Sequence, residues 1–361
     1  MRNSSIFSKY LCDEALQRRV SDDAFIQKML QFEMALAIAQ EKLDIIPKEA
    51  ATEISRQLSQ IKISPEDLAE GTLKNGIPVV SLLSVAKEKL SSSSKQYLHF
   101  GATSQDVMDT AQVLIIKDAV TLIEERLGIL VQHLQQLIDQ YGNVPCMSRT
   151  RGQLAIPITF GVKINAWLLP LQRQVERLSE IKKRVFIVQL GGAAGTLSAY
   201  GNKGNLLVDA LAHELALQPS PTWHAQRDNF CECTNWLAML TGILGKMGAD
   251  IVVIAQSEIN EVTENTEGGK SSAMAHKNNP VLSEALVALA RINANLQSQQ
   301  LLSMIHVNER DATAWILEWD AIPQMIINTG TALNHAITIA TGMKVNTANM
   351  KKNVERFLFK E

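Results

Sequence analysis

Apolar residues recur at alternating steps of three and four along much of this chain, and that periodicity restricts the fold more than any other feature. Val113, Ile116, Val120, Ile123, Leu127, Leu130, Leu134 and Leu137 keep the repeat without a break. Leu237, Leu240, Leu244, Met247, Ile251 and Ile254 repeat it, as do Ile164, Leu168, Leu171, Val175 and Leu178. Nearer the start, Phe25, Met29, Phe32, Leu36 and Leu43 fit it with one gap. A sustained spacing near 3.5 residues places one apolar stripe along a helix and favours long helices crossing at shallow angles. The predicted fold class is therefore all-α, a long-helix bundle. Strand signals are thin. Val185 to Val188 followed by Gly191-Gly192-Ala193-Ala194-Gly195 imitates a strand entering a dinucleotide loop. The glycines do not read G-x-G-x-x-G and no strand–helix alternation surrounds them, so a tight connector between helices is expected.

Charge and composition narrow the function classes. The 361 residues carry 35 Lys and Arg against 37 Asp and Glu, a formal net charge of -2. That balance supplies no field for gripping nucleic acid or a membrane surface. No run of eighteen apolar residues predicts a spanning helix, and the N-terminus lacks the apolar core of a secretory signal. Cys12, Cys146, Cys231 and Cys233 are too few and too scattered for a disulfide framework. The expectation is a soluble, cytoplasmic protein.

Three polar, small-residue stretches feed predicted helix starts. The first is His99-Phe100-Gly101-Ala102-Thr103-Ser104-Gln105-Asp106, where Thr103 and Asp106 have the spacing of a capping box. The second is Met147-Ser148-Arg149-Thr150-Arg151-Gly152-Gln153, predicted to enter a helix near Pro157. The third runs from Asn265 to Asn279, with Asn279 as cap and Pro280 opening the next helix. Helix N-termini suit anions, and each stretch adds hydroxyls, amides or cations, so together they can form a site for a small polyanion. Ordinary capping loops have the same composition, and sequence spacing leaves that reading open.

Sharper motifs fall away. Gly269-Lys270-Ser271 resembles the end of a phosphate-binding loop, but the first required glycine is Glu264. His213-Glu214 begins a zinc-protease pattern whose fifth position is Leu217, and Cys231-x-Cys233 is too tight for common zinc spacings. No G-x-S-x-G elbow is present. Neither a metal nor a nucleotide cofactor is expected.

Lys270-Ser271-Ser272-Ala273-Met274-Ala275-His276-Lys277-Asn278-Asn279-Pro280 resembles the G-S-S-x-M-P-x-K-x-N-P signature of the fumarase/aspartase superfamily. The first stretch resembles that superfamily's H-x-G-x-T-S-x-D segment and the second its R-T-x-x-Q…P…F-G segment. HFGATSQDVMDTA, RTRGQLAIPITFGVKINAW, GGAAGTLSAYG, WHAQRD and NERDATAWILEW are similar to its cycloisomerase branch. The resemblance implies a bundle of the fumarase/aspartase type, oligomerising through its central helices as a homotetramer, with each site assembled from three subunits. It also implies cofactor-free lactonisation of 3-carboxy-cis,cis-muconate in protocatechuate breakdown, with a small tricarboxylate as substrate. On that pattern 1–106 is an N-terminal helical domain, 107–342 the central bundle, and 343–361 the start of a truncated C-terminal helical domain. This chain departs from the signature at Lys270, where the superfamily has Gly, and at Ala275, where it has Pro. Arg151 stands where the superfamily's elimination lyases carry a catalytic histidine.

The resemblance assigns proton transfer to Ser271. Lys277, with Asn279 supporting, is the candidate for stabilising developing enediolate charge, and His276 joins the catalytic set. Thr103, Ser104, Gln105, Arg149, Arg151 and Gln153 are assigned to carboxylate binding, because hydroxyls, amides and planar guanidinium forks suit that group. His99, Arg227 and Arg310 complete the candidates, although a histidine is often structural and either arginine can serve inter-helix ion pairs. Trp315 and Trp319, spaced i,i+4, are read as packing. Two other readings stay open. One is an adenylosuccinate- or argininosuccinate-type lyase, against which Arg151 argues. The other is a catalytically silent helical scaffold, against which Ser271, Lys277 and Asn279 argue.

Overall fold

In the computed structural model, which describes residues 5–264, 268–274 and 277–358, the apolar repeats become the long helices they predict. Shorter helices come first: α1 (Ser8–Leu11), α2 (Glu14–Arg19), α3 (Asp22–Lys42), α4 (Lys48–Gln60), α5 (Pro65–Asn75) and α6 (Val79–Glu88). Their ends have local causes. The Ser21 hydroxyl accepts the Ala24 N–H at 3.2 Å. Ser64 and Asp67 cap α5 reciprocally, and Pro65 pre-sets its first turn.

Long helices then run back and forth between two ends of the molecule. α7 (Ser104–Tyr141) runs out, a hairpin of β1 (Pro145–Thr150) and β2 (Gln153–Thr159) turns the chain, and α8 (Phe160–Val185) returns. α9 (Gly204–Glu214) packs on α3, and α10 (Asp228–Ile254) runs out again. After β3 (Val262–Thr263), α11 (Val281–Leu302) returns and α12 (Ala312–Gly342) runs out. β4 (Lys344–Val345), which pairs with β3, leads to α13 (Thr347–Leu358). α10 packs on α8, α11 and α12, while α7 packs on α3, α8 and α12.

The predicted α7 stripe from Val113 to Leu137 is buried throughout, at most 7% exposed. On α8 the repeat drifts: Val175 is exposed and Gln174 faces inward, its carbonyl accepting the Trp236 indole N–H at 3.0 Å. A helix of 3.6 residues per turn rotates away from a strict 3.5 spacing, and α8 follows the helix. α10 is long and apolar enough to cross a membrane, yet it is the central core helix, with Thr234 and Thr241 fully buried along it. Gly245 and Gly248 permit that packing: a Cβ at Gly248 would lie 2.5 Å from the Ser283 carbonyl oxygen.

Two local expectations are corrected. The second polar stretch is a β-hairpin, not a loop entering a helix at Pro157; α8 begins at Phe160. Arg151 (φ 52°) and Gly152 (φ 81°) form its left-handed two-residue turn. Ser148 bridges an irregularity in the ladder by accepting the Ile156 N–H at 3.0 Å and donating to the Ile156 carbonyl at 2.6 Å. Pro280 takes the cap position of α11 itself, and Val281 is the first helical residue. The glycine-rich stretch after α8 is a connector, as expected, with Ile187 and Gln218 in an isolated bridge.

Candidate active site

The first polar stretch lies where α7 begins. His99 (φ 63°) and Gly101 (φ 74°) bend the chain, and the Phe100 carbonyl between them accepts from Gln40 Nε2 at 2.8 Å and the Tyr200 hydroxyl at 3.0 Å. Asp106, fully buried, accepts the Thr103 N–H at 2.9 Å, as the cap spacing predicts. It also accepts the N–H groups of Gly191 (2.8 Å) and Gly192 (3.0 Å), and its Oδ1 lies 2.7 Å from His224 Nε2. The stretch that imitates a dinucleotide loop thus holds a carboxylate of the protein itself.

His99 Nδ1 lies 2.6 Å from Glu33 Oε1. Burial pulls the His99 pKa down, but the Glu33 carboxylate, with Asp106 behind it, lifts it above the ordinary histidine value. Thr103 Oγ1 accepts from Arg310 Nη1 at 2.5 Å, and Ser104 is half-buried beside it.

Two of the predicted binding residues face inward at this end. Gln105 donates to Asp109 at 3.1 Å and to the His224 carbonyl at 2.8 Å. Arg227, 1% exposed, donates twice to Asp109 (2.6 and 2.9 Å) and twice to Glu318, and lies 5.0 Å from the Trp223 and Phe230 ring centroids. The two carboxylates outweigh the burial that lowers its pKa and hold the guanidinium charged. Trp315 adds an indole N–H to Asp109 at 3.0 Å and packs edge-on against Trp319. Gln105 and Arg227 therefore fix the base of the loop from within.

The other candidates lie at the opposite end. Arg149 points along the hairpin toward buried Glu261, with Nη1 3.9 Å from Oε2. Arg151 and Gln153 are exposed at the hairpin tip. Ser271 is half-buried, and its Oγ accepts the N–H groups of Ala273 (3.3 Å) and Met274 (3.1 Å). Lys277 is exposed and its N–H donates to the Met274 carbonyl at 3.1 Å. The Asn279 N–H donates to the Gly269 carbonyl at 2.8 Å, and Lys270 bridges Asn278. Gly269 (φ 76°), one residue before the signature, makes this closure: a Cβ there would lie 2.2 Å from the Asn279 carbonyl oxygen. His276 lies outside the described residues.

The ends are far apart within one chain. The 38 residues of α7 span about 57 Å, with Thr103 at one end and the hairpin at the other. The helix starts are also less open to anions than the sequence implies. Glu264 Oε1 and Oε2 accept the N–H groups of Ser283 (2.6 Å) and Leu282 (3.1 Å), so a buried carboxylate already caps α11. Sequence reasoning missed Glu33, Asp106 as a hub, and Glu264. Glu33 left one trace, a carboxylate inside the apolar run from Phe32 to Leu36, and Asp106 left another, its cap spacing from Thr103.

The Lyase family matches residues 4–292. The 3-carboxy-cis,cis-muconate cycloisomerase of Acinetobacter baylyi is 35% identical over 360 residues, covering 98% of this chain and 80% of the relative. Trans-aconitate decarboxylase 1 of Mycosarcoma maydis is 36% identical over 338 residues, covering 93% of this chain and 69% of the relative. Among solved structures, the 3-carboxy-cis,cis-muconate lactonizing enzyme from Pseudomonas putida superposes with a TM-score of 0.92 at 34% identity, over 98% of this chain and 80% of that one.

Proposed function

We propose a cycloisomerase function for this chain, which belongs to the Lyase family of the fumarase/aspartase superfamily: closure of 3-carboxy-cis,cis-muconate to γ-carboxymuconolactone. The observation that carries the reading is Ser271, whose Oγ is held by two main-chain N–H groups in the loop that also bears Lys277. Near-full-length similarity to muconate cycloisomerases supports it, as does Arg151 at the place of the elimination histidine.

In the proposed reaction one substrate carboxylate oxygen bonds to the alkene carbon β to another carboxylate. The π pair moves onto that second carboxylate as an enediolate. A C–H bond then forms at the α carbon with a proton from Ser271, which regains one from solvent. Lys277 and Asn279 stabilise the enediolate, an interaction in which one lost donor typically costs ~3 kcal/mol. The two N–H groups on Ser271 Oγ favour its anion and so lower the cost of releasing the proton. Arg149, Arg151 and Gln153, with His99, Thr103, Ser104 and Arg310, hold the carboxylates.

Because these groups lie at opposite ends of α7, the reading requires more than one copy. In a closed oligomer such as a homotetramer, two-fold axes across the helices set one end beside the other. Exposed Ile292, Leu301, Ile305 and Ile316, on α11, on α12 or between them, give such an assembly an apolar surface.

The test incubates the protein with 3-carboxy-cis,cis-muconate and, separately, with adenylosuccinate and argininosuccinate, and identifies products by NMR. Lactone from the first and no fumarate from the others is expected. Fumarate without lactone would replace the reading with a succinyl-type lyase.

A further inference from the structure

We propose that Glu33 is a positioning residue that holds His99 as an imidazolium with Nε2–H presented to a substrate carboxylate, so that the buried carboxylate tunes anion binding at the start of α7. The inference rests on the carboxylate-binding role given to that end above.

Glu33 sits on α3 with 1% exposure, and its Oε1 lies 2.6 Å from His99 Nδ1. Its other oxygen has no partner among the described residues. The charge of Glu33 is thus directed at one group, the imidazole. With Nδ1 engaged, Nε2 is the ring nitrogen left for a ligand, and the His99 side chain remains 16% exposed. The ring cannot easily turn away. Its backbone is in the left-handed region, and the next carbonyl, Phe100, is clamped by Gln40 from α3 and by Tyr200 from the connector. Three charged groups face the imidazole from the elements around it: Glu33 from α3, Asp106 from α7 and Lys87 from α6. The carboxylates prevail over burial and over Lys87, so the ring keeps its proton to higher pH than an ordinary histidine does.

A glue-like ion pair between α3 and the loop would use the same contact, so the test must read charge as well as stability. Glu33→Gln keeps an acceptor for Nδ1–H and removes only the charge. The His99 ring signal, assigned by its loss in His99→Asn, is followed by NMR through a pH titration of wild type and Glu33→Gln. The expected result is a His99 pKa at least one unit lower in the variant, and lactone kcat/KM about tenfold lower at pH above both His99 midpoints but recovering as pH falls below the midpoint of the variant. An unchanged His99 titration, or a loss of activity equal at every pH, would overturn the proposal in favour of a purely structural pair.

The binding arm does not depend on turnover. Adding 3-carboxy-cis,cis-muconate at a pH between the two His99 midpoints should shift the His99 signal in wild type and not in Glu33→Gln. If no lactone forms but this difference is seen, the cycloisomerase reading fails and the Glu33 proposal stands. If lactone forms and the substrate leaves the wild-type signal unmoved, the Glu33 proposal fails alone.

Discussion

Replacing Ser271 with alanine is expected to lower lactone formation by ~10²–10⁴-fold, the usual worth of a positioned proton-transfer group. Among the described residues Ser271 Oγ accepts only local main-chain N–H groups, those of Ala273 and Met274, in a loop outside the helices. Nothing in the bundle depends on its hydroxyl, so helix content should stay at the wild-type level. Absorbance of the muconate gives the rate, and far-ultraviolet circular dichroism checks the fold. Full turnover by the variant would remove Ser271 from the mechanism.

The largest effect on stability is expected at Arg227. Arg227→Met leaves Asp109 and Glu318, both almost fully buried, without the guanidinium that pairs with them. Breaking a buried pair by removing one partner typically costs ~3–5 kcal/mol, a large part of the ~5–15 kcal/mol that holds a domain together. The strain is shared among helices, because this cluster joins the start of α10 to α7 and α12. Arg310→Gln at the same end removes one exposed hydrogen bond to Thr103 and should cost no more than about 1 kcal/mol. Urea unfolding of both variants measures the contrast. A midpoint for Arg227→Met equal to that of Arg310→Gln would mean that the buried cluster does not stabilise the bundle.

The helices were legible because burial imposes a period on the chain, and Val113 to Leu137 carries it without interruption. The hairpin was not, because its signal is a two-residue turn at Arg151-Gly152 beside a serine that replaces part of the ladder. The three polar stretches were found by composition and motif, and their cations and hydroxyls lie where solvent or a ligand can reach them. Arg227 and Gln105 carry the same donor groups but face inward toward Asp109, and residue type alone cannot distinguish the two directions. Glu264 and Asp106 explain the anion-friendly helix starts from inside the chain. The cap spacing announces the bond from Thr103 to Asp106, but the rest of what the two carboxylates bind is far away in sequence, and no local pattern announces it. The separation of the two ends along α7 gives a geometric ground for the claim of shared-site assembly that the family resemblance implies.

That claim is tested most directly by mixing two disabled proteins. Ser271→Ala removes the signature-loop end, and a His99→Gln/Ser104→Ala double variant removes the end at the start of α7. After subunit exchange, verified by mass, a site built from opposite ends of separate copies predicts that the mixture regains lactone formation that neither variant has alone. An active wild type whose exchanged mixture stays silent would contradict it.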